Sequence, residues 1–212
     1  AAASADHTDD AALFQAAGGV VISVLGEAAA FKITTPDDLA RAEAHLADAA
    51  GELRSGIGTD VHRFAAEGSG VLRLAGIDWP SEPVLEGHSD GDAVAHAVVD
   101  ALLAAAGLGD IGGVFGVDRP EFKAAAGEVF ISHTLGLLAE QGWSVVNVSV
   151  QLVGNRPKLA PRRAEAEATM TRLVGAPVSI GATTTDGLGF LGNSEGVAAV
   201  ATALIRRTPK VG

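Results

Sequence analysis

Two short runs hold residues that together could bind a catalytic metal ion. One is Gly56-Ile57-Gly58-Thr59-Asp60-Val61-His62-Arg63-Phe64; the other is Gly87-His88-Ser89-Asp90-Gly91-Asp92-Ala93-Val94-Ala95-His96. Side chains on an extended segment alternate between faces, so Asp60 and His62 point the same way. His96 adds a second imidazole. Two imidazoles and one carboxylate leave the fourth corner of a tetrahedral zinc site open, as a catalytic ion needs. The chain has no cysteine, which excludes disulfides and thiolate ligands and leaves any metal to His and carboxylates.

Other residues could serve the same chemistry. Asp92, His96 and Asp100 are four apart and line one face of a helix. Either carboxylate could accept the second N–H of His96 and fix its tautomer; otherwise the three form an ordinary solvated stripe. His88 precedes the helix N-terminus, where backbone N–H groups favour an anion, or it closes a turn. Thr183-Thr184-Thr185-Asp186 offers hydroxyls to phosphate oxygens and a carboxylate to a hard cation such as Mg²⁺. Threonines also favour strands, so the same run reads as a strand end and turn. Lys158, in Arg156-Pro157-Lys158, is a phosphate contact or part of a solvated basic turn. Asp110 accepts from substrate hydroxyls or caps a turn. Gly187-Leu188-Gly189-Phe190-Leu191-Gly192 lacks the spacing of a dinucleotide fingerprint. His7, His45 and His133 have no motif around them and read as surface or packing residues.

The elements that must position these groups follow from periodicity. Residues 1 to about 50 read as a small αβα piece. It has a helix over 11–17, a β-branched strand over 20–25, and a helix from Thr35 or Asp37 to about Ala49 with Pro36 in its first turn. The pattern breaks around 50–55, where a boundary is placed. Beyond it, strands are predicted at 56–64, 71–77, 143–153 and 178–183, with Val146, Val148, Val150 and Leu152 on one face of the third. Helices are predicted at 89–106, 128–141, 161–173 and 195–205. Ser89 with Asp92 three residues on resembles a capping box. The order implies an α/β (α+β-like) fold: a mixed β-sheet covered by helices on one face.

The 212 residues, 48% hydrophobic and 19% charged, suffice for one well-buried domain and a smaller element. A formal net charge of −11 argues against a general nucleic-acid or anionic-membrane surface, so no nucleic-acid or membrane partner is expected. An acidic protein can still bind a polyanionic small molecule through cations, helix N-termini or backbone N–H groups. No apolar run is long enough to span a bilayer, and the first residues lack the basic region of a signal peptide, so a cytoplasmic location is expected. The missing initiator Met points to a processed or excised chain.

From about Arg54 to Ile205 the chain resembles the 2-C-methyl-D-erythritol 2,4-cyclodiphosphate synthase family of non-mevalonate isoprenoid biosynthesis. The resemblance rests on Gly56 to His62, Gly87 to Asp92 through His96, Leu108-Gly109-Asp110-Ile111-Gly112, and Thr183 to Gly189, in that order. It implies a domain over 54–207 that assembles as a homotrimer with active sites between subunits. It also implies a metal-dependent phosphorus–oxygen lyase that turns 4-diphosphocytidyl-2-C-methyl-D-erythritol 2-phosphate into the cyclic diphosphate and CMP. It implies Zn²⁺ on Asp60, His62 and His96, and a second divalent cation, Mg²⁺ or Mn²⁺, held with the help of Asp186. His88 and Thr184 would stabilise the transition state. Ser89, Asp110, Ile111 and Gly112 would meet the methylerythritol phosphate. Pro157, Lys158, Leu159, Thr183 and Thr185 would form the cytidine diphosphate pocket, with Phe190 and the ligands Asp60 and His62 also facing substrate.

Two positions depart from the family pattern. Asn193 stands where the family often has an Arg linked to an anion or prenyl-diphosphate site in the trimer's central cavity. Asp186 replaces the more frequent Glu, one methylene shorter. The first segment has a resemblance of its own. Thr8-Asp9-Asp10-Ala11 and Phe31 to Leu39 look like the C-terminal end of the 2-C-methyl-D-erythritol 4-phosphate cytidylyltransferase family, with Lys32 at a functional lysine. That implies a remnant of a fused cytidylyltransferase domain over 1–50. Without the N-terminal nucleotide-binding loop, this fragment is expected to have no cytidylyltransferase activity.

Overall fold

The alternation that singles out Asp60 and His62 belongs to a strand, β1 (Leu53–Arg63), at one edge of a four-stranded sheet. The computed structural model describes residues 10–22, 24–27, 30–66, 70–86, 91–116 and 126–207. Two units separate within the chain, 1–49 and 50–212.

In the first unit, α1 (Asp10–Ala16) and α2 (Pro36–Ala50) are the two predicted helices. Asp38 ties off the start of α2. Its carboxylate accepts from the Thr34 N–H and hydroxyl and from the Thr35 N–H, and these bonds lower its pKa to about 2. The predicted strand at 20–25 does not form: Val20–Ile22 and Val24–Leu25 take no regular structure and are exposed. β-branched residues favour a pleated, half-buried surface, and no partner strand is described for this run.

In the second unit the sheet order is β1-β6-β4-β5, with β4 (Trp143–Val153), β5 (Val178–Thr183) and β6 (Gly196–Arg207). β6 runs antiparallel to both β1 and β4, while β4 and β5 are parallel. The predicted helix at 195–205 is therefore corrected to a strand. Its alanines favour a helix in isolation. However, Val197, Ala199, Ala201, Ala203 and Ile205 alternate inward and are all buried, so sheet pairing and burial override propensity. The hairpin-like strand expected at 71–77 is a hairpin of two short strands, β2 (Leu72–Leu74) and β3 (Ile77–Trp79). Ala75 and Gly76, at φ 56° and 71°, make its two-residue turn. In β4 a register shift between Val145 and Asn147 takes Val146 off the buried face that Val148, Val150 and Leu152 share.

Helices cover one face of the sheet. α3 (Ala93–Ala106) lies across β1 and β6, α5 (Gly127–Glu140) packs on α3, and α6 (Arg163–Val174) packs on β5 after a 3₁₀ turn at Ala160–Arg162. Two short helices were not predicted, α4 (Ile111–Phe115) and α7 (Gly189–Gly192). α3 begins at Ala93, later than predicted, and its cap is Asp92. Gly56 and Gly58 explain how α3 approaches so closely. A Cβ on Gly58 would overlap the Ala97 carbonyl and the Ala101 nitrogen, and one on Gly56 would overlap the Ala101 carbonyl and Ala105 nitrogen. These glycines let a helix backbone rest on a strand backbone.

Candidate metal centre

β1 carries Asp60 and His62 on its helix-facing side, opposite Ala199 and Val197 of β6. α3 brings His96 over them. Asp60 Oδ2 lies 2.8 Å from His62 Nε2 and 3.0 Å from His96 Nδ1, and the two ring nitrogens are 3.4 Å apart. Ligand atoms about 2.0–2.1 Å from a tetrahedral ion stand about 3.3 Å from one another, so these three fit one small divalent ion with a slight opening. The His62 Nδ1–H donates to the Glu86 carbonyl at 2.6 Å, which fixes the tautomer and leaves Nε2 for the ion. The His96 ring stands edge-on to Phe130, with centroids 5.7 Å apart.

The charges are coupled. Burial opposes ionisation of Asp60, but hydrogen bonds from His62 and His96 outweigh it and hold the carboxyl well below its ordinary range. The bond to Asp60 raises the pKa of His62 against the effect of burial. A raised imidazole stabilises the fold fully below its unfolded value of about 6.5 and ceases to as pH rises through the folded value. A lowered carboxyl stabilises above about 3.9 and ceases to as pH falls through its folded value. The metal-free domain should therefore melt highest between about pH 4 and 6.5 and lower at pH 8–9. Saturating metal should reverse the alkaline trend, because a ligand imidazole must lose its proton. Paired melting curves with chelator and with Zn²⁺, from pH 5 to 9, would check this; parallel curves would contradict it.

The Asp92/His96/Asp100 stripe is not a solvated face. α3 is buried nearly all round, and only Asp100 and Ala104 reach solvent appreciably. Asp92 is 1% exposed and accepts from the Ala75, Gly76, Val94 and Ala95 N–H groups. Asp100 accepts from the Ile111 N–H at 2.7 Å. Burial raises its pKa, with smaller contributions from Asp110 and Asp60. Asp110 caps α4 through the Gly113 N–H, the simpler of its two predicted roles. Through Asp100, the helix that carries His96 is thus tied to the start of α4, where Asp110, Ile111 and Gly112 stand.

The remaining predicted residues fall in two places, apart from His88 and Ser89, which lie outside the described residues, as do His7, Thr8 and Asp9. Thr183 ends β5 opposite Val153. Thr184 Oγ1 approaches Asp186 at 3.4 Å, and Thr185 Oγ1 donates to the Leu188 carbonyl at 2.7 Å. These bonds stay within their own turn, where Asp186 has φ 53°. Pro157 and Leu159 are buried while Lys158 is exposed between them. Phe190 joins His62 in lining a cavity of about 250 Å³, together with Val61, Arg63 and Glu195.

Three supports were missed at the sequence level. The Glu86 carbonyl and the Phe130 edge have no sequence signal. Asn155 donates to the Gly192 carbonyl and to Ser194 Oγ, at 2.7 and 2.9 Å. It joins the loop of Pro157–Leu159 to the end of α7, which carries Phe190, across 37 residues, too far for any local pattern. Only the capping half of the Asp92 clamp has a sequence signal, since an Asp just before an apolar helical run is an N-cap signature.

A mixed sheet whose edge strand and covering helix bring two imidazoles and a carboxylate together beside a cavity defines an α/β protein with three side chains placed so that they could hold a metal ion. Residues 53–206 match the YgbB family, to which the chain belongs, and residues 1–48 match 2-C-methyl-D-erythritol 4-phosphate cytidylyltransferase. The chain is 60% identical over 213 residues to the bifunctional enzyme IspD/IspF of Clavibacter michiganensis, covering 98% of this chain and 52% of that one. It is 55% identical over 158 residues to the 2-C-methyl-D-erythritol 2,4-cyclodiphosphate synthase of Cutibacterium acnes, covering 74% and 92%. The chain thus spans about half the length of its bifunctional relatives. The bifunctional IspDF of Campylobacter jejuni superposes with a TM-score of 0.68 at 31% identity, covering 96% of this chain and 55% of that one. A CDP-bound 2C-methyl-D-erythritol-2,4-cyclodiphosphate synthase gives 0.65 at 36% identity, covering 72% and 99%. Among the described residues no helix is long and apolar enough to cross a membrane.

Proposed function

We propose that the unit over residues 54–207 converts 4-diphosphocytidyl-2-C-methyl-D-erythritol 2-phosphate to 2-C-methyl-D-erythritol 2,4-cyclodiphosphate and CMP. The observation that carries this reading is the convergence of Asp60, His62 and His96 within 3.4 Å of one another in a chain of this family. A 2-phosphate oxygen forms a bond to the β-phosphorus, the bond from the β-phosphorus to the oxygen bridging it to the α-phosphorus breaks, and that oxygen leaves with the electron pair as part of CMP. No water is consumed.

The nucleophile is already an anion, so the protein's task is positioning and charge stabilisation rather than proton abstraction. Asp60, His62 and His96 would hold the zinc, which supplies Lewis acidity toward a phosphoryl oxygen. Asp186 offers the single carboxylate that Mg²⁺ or Mn²⁺ commonly takes alongside substrate phosphates. His88 and Thr184 would donate to the charge that develops on the transferring group. Asp110, Ile111, Gly112 and Ser89 would orient the erythritol phosphate. Pro157, Lys158, Leu159, Thr183, Thr185 and Phe190 would bound the cytidine diphosphate; a related synthase structure in a CDP-bound form supports a ligand of this class. Holding both ends of one molecule in attack geometry contributes roughly 7–11 kcal/mol. Reaction in ¹⁸O-water tests this chemistry. Unlabelled cyclic product with CMP is expected; a linear product carrying solvent oxygen would mark a hydrolase, and binding without CMP release a scaffold.

The reading includes a homotrimer and a cytoplasmic location. It takes residues 1–50 as the end of a cytidylyltransferase domain fused upstream, which the match over residues 1–48 and the bifunctional relatives support. Support for self-assembly comes from the sheet face turned away from α3. There Leu53, Ile57 and Val61 of β1 are more than half exposed. Large apolar side chains left exposed along one sheet face mark an interaction surface. Ile57→Asp should convert a species of three chain masses to one by light scattering. An unchanged mass would count against assembly through this face.

A further inference from the structure

We infer that Asp92 is a positioning residue of the metal centre: it sets His96 by clamping the β2–β3 turn to the first turn of α3. The inference rests on the metal reading of the triad. An ordinary N-cap satisfies one or two N–H groups of its own helix. Asp92 does that and more. Oδ1 accepts from Val94 N at 3.1 Å and Ala95 N at 3.0 Å, and also from Ala75 N at 2.8 Å. Oδ2 accepts from Gly76 N at 2.7 Å. The Asp92 backbone carbonyl accepts from the His96 N–H at 3.0 Å, so the ligand residue closes the same turn.

The turn it grips is held on its other side too. A Cβ on Gly76 would stand 2.9 Å from Thr169 and 3.2 Å from Leu173, both on α6. The hairpin is therefore a fixed post between α6 and the start of α3, and Asp92 is the bolt that joins α3 to it. Asp60 and His62 come from β1, which has its own support in β6. Their distance to His96 therefore depends on where α3 sits along its axis. Displacing the first turn by a few tenths of an ångström would spoil a ligand set whose atoms lie 2.8–3.4 Å apart.

Two substitutions of the full chain separate this role from capping. Asp92→Asn keeps one of the best N-caps but turns an NH₂ toward a backbone N–H that needs an acceptor. Asp92→Ser keeps a cap and is too short to hold the turn. Both should remain folded by circular dichroism. In each, Co²⁺ should bind roughly 10-fold or more weakly, the range for lost outer supports of a metal site. The intensity of the cobalt d–d bands should change. In the metal-free protein, the Ala95 and His96 amides should exchange faster. CMP release should lose kcat with little change in KM. A wild-type chain that fails to bind Co²⁺ refutes the metal reading itself. Wild-type binding with unaltered cobalt affinity and spectrum in both variants overturns only the role of Asp92. Loss of fold in both also overturns it, since the residue would then serve the fold and not the site.

Discussion

Replacing His62 with alanine should leave a folded chain that no longer holds a divalent ion and no longer releases CMP at a measurable rate. The side chain is partly exposed and its loss opens no cavity in the core. Its ring supplies one of three ligand atoms, however, and its Nδ1 is anchored to the Glu86 carbonyl, so alanine removes both a ligand and the bond that orients it. Asp60 would keep its bonds to His96 and to the Val61 N–H. CMP release should fall by on the order of 10³, as when a group stabilising transition-state charge is removed. Metal analysis and a turnover assay on the same preparation check both halves. Turnover retained by metal-depleted His62→Ala protein would refute the assignment.

Gly58→Ala should be among the most damaging small substitutions in the second unit. The new methyl would be driven into the Ala97 carbonyl and the Ala101 nitrogen and would lie 2.7 Å from Asp100 Cβ. Helix backbone cannot rotate away as a side chain can, so α3 must lift off β1. Overpacking of this kind costs about 3 kcal/mol or more. For a domain of this size that corresponds to a melting temperature lower by roughly 6–12 °C. The same displacement carries His96 away from Asp60 and His62, so metal affinity should fall with stability. Gly136→Ala is the control. It is helical, exposed and has open space around it, so it should be neutral or stabilise by up to about 1 kcal/mol. Thermal melts of the two variants beside the wild type decide the matter, and equal melting temperatures would contradict the account.

Those glycines also show what a sequence conveys and what it hides. The period-two placement of Asp60 and His62 is a local signal, and it correctly brings both to one side of β1. His96 joins them through packing, and only the near-absence of side chains at Gly56 and Gly58 permits the approach. β6 shows where local signals mislead. A run of alanines and valines has good helix formers, but its small side chains exist to fit beneath α3, a tertiary requirement that propensity does not record. Helical spacing puts Asp92 and Asp100 in one polar stripe. Their work is done on the N–H groups of Ala75, Gly76 and Ile111, which no helical wheel contains. Asn155 reaches the end of α7 by the same kind of long-range bond.

The location of the ion is the most direct test of the whole account. Crystals grown with stoichiometric Zn²⁺ and measured at the zinc absorption edge should show one strong anomalous peak per chain. It should lie about 2.0–2.1 Å from Asp60 Oδ2, His62 Nε2 and His96 Nδ1, with its remaining position open to a phosphoryl oxygen. A peak bound by other side chains, or none in crystals of protein that still releases CMP at the full rate, would contradict it.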